Sequence, residues 1–63
     1  MRVLRKRRVR DKAGISFATI DRKEKAGEFP ARIKLGEKAV GWLESEIDEW
    51  IERRVAARDA KAA

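Results

Sequence analysis

Gly14-Ile15-Ser16 is the segment that most restricts what this chain can become. A glycine ends one helical pattern, an apolar residue follows, and a serine opens the next. Glycine enters the left-handed C-cap conformation without steric cost. A serine hydroxyl at an N-cap accepts a bond from a free backbone N–H two or three residues on. The three residues therefore predict two helices joined by a tight turn, over residues 5–13 and from Ser16 to about Ala26, where Gly27 stops the second.

Leu4, Val9 and Ala13 give the first helix a thin apolar seam, and residues 1–4 read as an extended lead-in. The second helix is anchored by Ile15 and Ile20 and is otherwise polar, which suits an element whose outer face meets a partner. Phe29-Pro30 then forces an extended backbone at Phe29. Ile33 and Leu35 alternate with Arg32 and Lys34, and Val40 and Trp42 alternate around Gly41, which predicts a β-hairpin connected through Gly36–Ala39. Placing Ile33 opposite Trp42 and Leu35 opposite Val40 puts all four on the core face, with Arg32 and Lys34 on the other face and Lys38 at the tip. Leu43, Ile47, Trp50, Ile51 and Val55 form one stripe of a last helix that starts at Ser45 or Leu43. The fold class is mainly α with a small β-hairpin, a winged helix-turn-helix. Residues 1–55 form the domain, and residues 56–63 are the helix end, expected to fray.

Charge is distributed with a direction. Residues 1–13 carry seven basic side chains against Asp11, a net of +6; residues 14–42 carry +2 and residues 43–63 carry −2. A polyanion is drawn to the first two-thirds and repelled from the last third. With no cysteine and no histidine, the chain lacks thiolate chemistry, the usual zinc ligands and the usual general base. An enzyme, a metal site and a cofactor are all disfavoured. No apolar run approaches the ~20 residues of a membrane span, and no secretory signal is read, so a cytoplasmic setting is the default.

Several signals have plain structural explanations. Trp42 and Trp50 fit apolar stripes and read as core rather than as a stacking platform for single strands. Gly36 and Gly41 share a phosphate-loop spacing, but Trp42 stands where such a loop needs lysine. The acids at 44–52 read as solvation and helix capping.

Gly14-Ile15-Ser16 with Thr19-Ile20, Gly27-Glu28-Phe29-Pro30, Lys34-Leu35-Gly36, and the block from Val40 to Ile51 together resemble the AlpA family of phage-related regulators, within the wider excisionase-like and MerR-like winged helices. The resemblance covers about residues 3–55. It implies a double-stranded DNA-binding transcription regulator of integrase or prophage-excision genes, with the second helix in the major groove and the hairpin as a wing. On that basis the candidate recognition residues are Ser16, Phe17, Thr19, Asp21, Arg22 and Lys25. Arg32, Lys34 and Lys38 serve the wing, and Arg5, Arg7 and Arg8 attract phosphate. Phe17, Asp21 and Lys23 depart from the family pattern, which often has a basic, an aromatic and an apolar residue there. Self-association or cooperative binding on DNA is expected of so small a reader. Two alternatives stand beside this reading. One is an excisionase-like architectural factor that bends DNA. The other is a protein-interaction module that pairs through Leu43, Ile47, Trp50 and Ile51.

Overall fold

The computed structural model describes residues 1–62. Strand β1 (Val3–Leu4) is followed by helices α1 (Lys6–Ala13) and α2 (Phe17–Lys25), strands β2 (Ile33–Gly36) and β3 (Ala39–Leu43), and helix α3 (Glu44–Ala62). The winged helix-turn-helix architecture is as the sequence predicts, with one addition. The lead-in is a strand, and it completes an antiparallel three-stranded sheet in the order β1-β3-β2.

Gly14 ends α1 in the left-handed region, at φ 73°, and its N–H donates to the Arg10 carbonyl. Ser16 caps α2, its Oγ accepting from the Thr19 N–H. The two helices meet around Val9 and Ile20, which are fully buried. Leu4, Phe29, Trp42, Ile47 and Trp50 complete the core, and no polar side chain is buried with them among the described residues. Both tryptophans are core residues, as expected. The Trp42 Nε1–H donates to the Pro30 carbonyl at 3.0 Å and the Trp50 Nε1–H to the Glu28 carbonyl at 2.9 Å. Phe29 meets Trp50 edge-on, with ring centroids 4.9 Å apart. The turn between α2 and β2 is thus pinned to the core by two indoles.

The hairpin register differs from the expected one. Ile33 pairs with Gly41 and Lys34 with Val40, and a bulge follows before Gly36 pairs with Ala39 across Glu37-Lys38. Directly paired residues share a face. Leu4 pairs with Trp42 and both are buried, so Trp42 and Val40 face the helices, and Lys34 with them. Ile33 and Leu35 lie on the outer face instead, where Leu35 is 46% exposed. The shift has a steric cause. A Cβ at Gly41 would lie 2.5 Å from Val3 Cγ1 and 3.0 Å from both Leu35 Cδ1 and the Leu4 carbonyl oxygen. Gly41 therefore leaves the space into which Val3 and Leu35 fold, and the outer face carries an apolar cover of its own.

Helix α3 begins at Glu44, between the two expected starts, because Leu43 is the last residue of β3. It is helical through Ala62, with Glu52–Lys61 exposed. Of the residues that would serve a protein-interaction module, Ile47 and Trp50 are buried in the chain's own core, and Leu43 and Ile51 are half-buried. No described helix is long and apolar enough to cross a membrane.

Gly41→Ala should destabilise the domain by ~1–3 kcal/mol through overpacking, and Gly41→Ala/Val3→Ala should recover part of the loss. Urea unfolding of the three proteins checks this. Equal stability of the single variant and the parent contradicts the register.

Candidate nucleic-acid interface

Helix α2 presents three distinct faces. Ile20 points into the core, with Lys23 and Glu24 half-buried beside it. Phe17, Asp21 and Glu24 lie along the side toward α1 and β2, at spacings of one helical turn. Ala18, Arg22 and Lys25 lie on the outer side and are exposed. The two acids of this helix are both engaged on the inner side. Asp21 Oδ1 accepts from Lys6 Nζ and from Arg32 Nη2, each at 2.8 Å. Glu24 Oε1 accepts from Arg32 Nε at 2.7 Å and forms an ion pair with Nη2 at 2.6 Å, while Oε2 accepts from the Arg32 backbone N–H.

These contacts set the ionisation of the group. Hydrogen bonds from Lys6 and then Arg32 hold the Asp21 carboxyl below its ordinary range. Partial burial pushes Glu24 upward, but the side-chain and backbone bonds from Arg32 outweigh it and leave Glu24 low as well. Glu24 and then Asp21 raise the Arg32 guanidinium above its ordinary value. Arg32 also lies over the Trp42 ring, 5.0 Å from its centroid.

Phe17 is 39% exposed and is flanked by two cations, Arg10 at 4.8 Å and Lys6 at 5.4 Å from the ring centroid. The ring face draws both groups toward the N-terminus of α2. The Ser16 and Thr19 hydroxyls bond each other at 2.9 Å. Ser16 is exposed and Thr19 half-buried.

Arg22 and Lys25 share the outer face of α2 and, with Lys23, make no ion pair among the described residues. The expected orientation of Arg32 and Lys34 away from the core face is corrected by the register. Both project on the helix-facing side of β2, where Arg32 docks the strand onto α2 and Lys34, exposed, lies one pleat further on. Lys38 sits in the exposed turn at the tip. Arg5, which precedes α1, and Arg7 and Arg8 within it do not form one group. Lys6 and Arg10 face α2, whereas Lys12 faces α3 and pairs with Asp48 at 2.8 Å and Glu44 at 3.2 Å. Arg8, one turn before Lys12, lies on that α3 flank with Arg5 near it at the helix start, and Arg7 points outward. In the sequence Lys6, Arg10 and Lys12 are only part of the positive charge of residues 1–13. The carboxylate partners of Lys6 and Lys12, and the Phe17 ring beside Lys6 and Arg10, lie beyond the turn that ends α1, so helical spacing alone carries no signal of them.

A sequence model of the family described as "Prophage CP4-57 regulatory protein (AlpA)" matches residues 2–55. The chain belongs to the AlpA family. It is 42% identical over 57 residues to the uncharacterized protein ORF88 of Enterobacteria phage P4, an alignment that takes in 90% of this chain and 65% of the phage protein. It is 40% identical over 60 residues to the DNA-binding transcriptional activator AlpA of Escherichia coli (strain K12), covering 86% of each chain. The AlpA match runs from the residue before β1 to the middle of α3, so it includes both helices of the turn, the whole sheet and every buried residue.

Asp21 and Glu24 titrate lower in the folded state than in the unfolded chain, so the stability they lend is complete above the unfolded value and is lost as pH falls through the folded one. Arg32→Met removes the part of that stabilisation that Arg32 supplies, leaving the Lys6–Asp21 pair in place. The difference in melting temperature between the parent and Arg32→Met should therefore narrow from about pH 7 to about pH 2. A constant difference contradicts the ion-pair network.

Proposed function

We propose that this AlpA-family chain is a sequence-specific, double-stranded DNA-binding transcriptional regulator that controls integrase or prophage-excision genes. The observation that carries the reading is the one-sided use of charge on α2. Its acids are paired with Lys6 and Arg32 on the side toward α1 and β2, and its free cations, Arg22 and Lys25, stand on the adjacent exposed side. A phosphate approaching that side meets positive charge, with the charge of Asp21 already offset by its two cations. The Escherichia coli relative is a DNA-binding transcriptional activator, which supports the same class of partner.

In this reading α2 enters the major groove and the hairpin lies along the backbone as a wing. Arg22 reaches a guanine edge or a phosphate, and Lys25 a phosphate. Ser16 and Thr19 use their remaining hydroxyl capacity on the backbone, and the exposed edge of Phe17 meets a thymine methyl. Asp21 receives both of its cations on Oδ1, which leaves Oδ2 to accept from a cytosine amino group. Lys34 and Lys38 supply the wing's phosphate contacts, and Arg32 positions the wing rather than touching DNA. Arg7 adds attraction from α1. The protein works in the cytoplasm on the nucleoid, without catalysis or a cofactor. A reader this small covers few base pairs, so it binds as a dimer or cooperatively at adjacent sites.

Selection of bound sequences from random duplexes at two salt concentrations tests the proposal. A recovered consensus is expected at both, and salt-sensitive binding with no preferred sequence contradicts it. Arg22→Ala should weaken binding to the selected duplex by ~1–3 kcal/mol if it reads a base. Equal losses on selected and random duplexes would assign Arg22 to a phosphate.

A further inference from the structure

Helix α1 separates two cationic surfaces. Lys6 and Arg10 turn toward α2, and Lys12 turns toward α3. With Val9 in the core, the helical period sets Arg8 about half a turn around α1 from the α2 side. Arg2 approaches this same flank from the sheet edge. Its carbonyl accepts from the Glu44 N–H at 2.8 Å, and in the extended lead-in it shares a face with the inward Leu4. Arg2 and Arg8 together line a hollow of about 350 Å³, with Leu4 at the floor and Asp11, Lys12 and Glu44 around it. The charges there are unequal in availability. Asp11 is taken by Arg10, and Glu44 by Lys12. Arg2 and Arg8, both exposed, make no ion pair among the described residues.

We infer that Arg2 and Arg8 form a second phosphate-binding surface, on the flank of α1 opposite α2, which engages the backbone of duplex DNA outside the segment read by α2. The inference rests on the proposed DNA-binding function and extends it. A straight duplex lying on the outer face of α2 does not reach the far flank of α1. The phosphates that meet Arg2 and Arg8 therefore come from the same duplex bent around α1 or from a second duplex. Two guanidiniums at one hollow, with the local carboxylates already paired, suit phosphate oxygens better than an uncharged ligand. Each phosphate contact adds its share to the salt dependence of binding.

The test compares the parent with Arg2→Gln/Arg8→Gln on the selected duplex and on random duplex. Three readouts are taken: the slope of log affinity against log salt, end-to-end fluorescence transfer across the duplex, and capture of a second labelled duplex by an immobilised one. The double variant should lower the slope by about 2 while leaving the ratio of selected to random affinity unchanged. It should also lose either the bend, which assigns the phosphates to the same duplex, or the capture, which assigns them to a second one. An unchanged slope, bend and capture overturns the inference, and so does a lowered slope on DNA that the parent neither bends nor bridges. A parent that binds no duplex at all overturns the proposed function itself, a distinct result. Should the glutamine variant fail to fold, Arg2→Lys/Arg8→Lys replaces it. Its two new amines should be protected from acetylation when DNA is bound, and full reactivity in the complex counts against the second surface.

Discussion

The Arg32 guanidinium is the joint on which the rest of this small domain depends. It stacks on Trp42, the largest fully buried side chain, and so is tied to the core. Its N–H groups bind Glu24 and Asp21 on α2, and Asp21 binds Lys6 on α1. One side chain thereby fixes the angle between the sheet and α2, and through Asp21 the angle between α2 and α1. Pairs at such exposure contribute little individually. Their effect here is geometric, because a planar fork that meets two carboxylates admits few orientations. The indole bonds to Pro30 and Glu28 hold the intervening turn in place, so β2 leaves α2 in a defined direction.

The same joint shapes the electrostatics. A helix with the composition of α2 carries acids that would repel a phosphate backbone. Drawing both toward Lys6 and Arg32 removes that repulsion where it would matter and leaves Arg22 and Lys25 uncompensated on the outside. On α3 Glu46, Glu49 and Glu52 make no ion pair among the described residues, but neither do Arg53, Arg54 and Lys61 on the same helix, so that helix carries no excess of unpaired positive charge. The excess lies on α1 and α2, which draws a polyanion to that side before any specific contact forms.

Much of this was legible in the sequence. Gly14 and Ser16 announce the turn because each has a conformational or capping task that few residues perform. The buried stripe of α3 is visible because Ile47, Trp50 and Ile51 repeat at helical spacing. The hairpin was legible as a hairpin, but its register was not. Gly41 has no side chain, so the pattern Val-Gly-Trp fits a slide of one residue equally well. Strand β1 is only two residues long, too short to show a period. The Arg32–Glu24 and Lys6–Asp21 pairs join residues whose separation in sequence follows no periodic rule, and so the site's charge pattern became readable only once the elements had been placed.

The central claim is that the outer side of α2 and the wing meet duplex DNA while α3 faces away. An amide chemical-shift titration of the isotope-labelled protein with duplex DNA addresses it most directly. The largest changes should fall on Ala18, Arg22 and Lys25, followed by Lys34 and Lys38, with residues 49–58 nearly unmoved. Changes concentrated on α3, with α2 silent, would contradict the account.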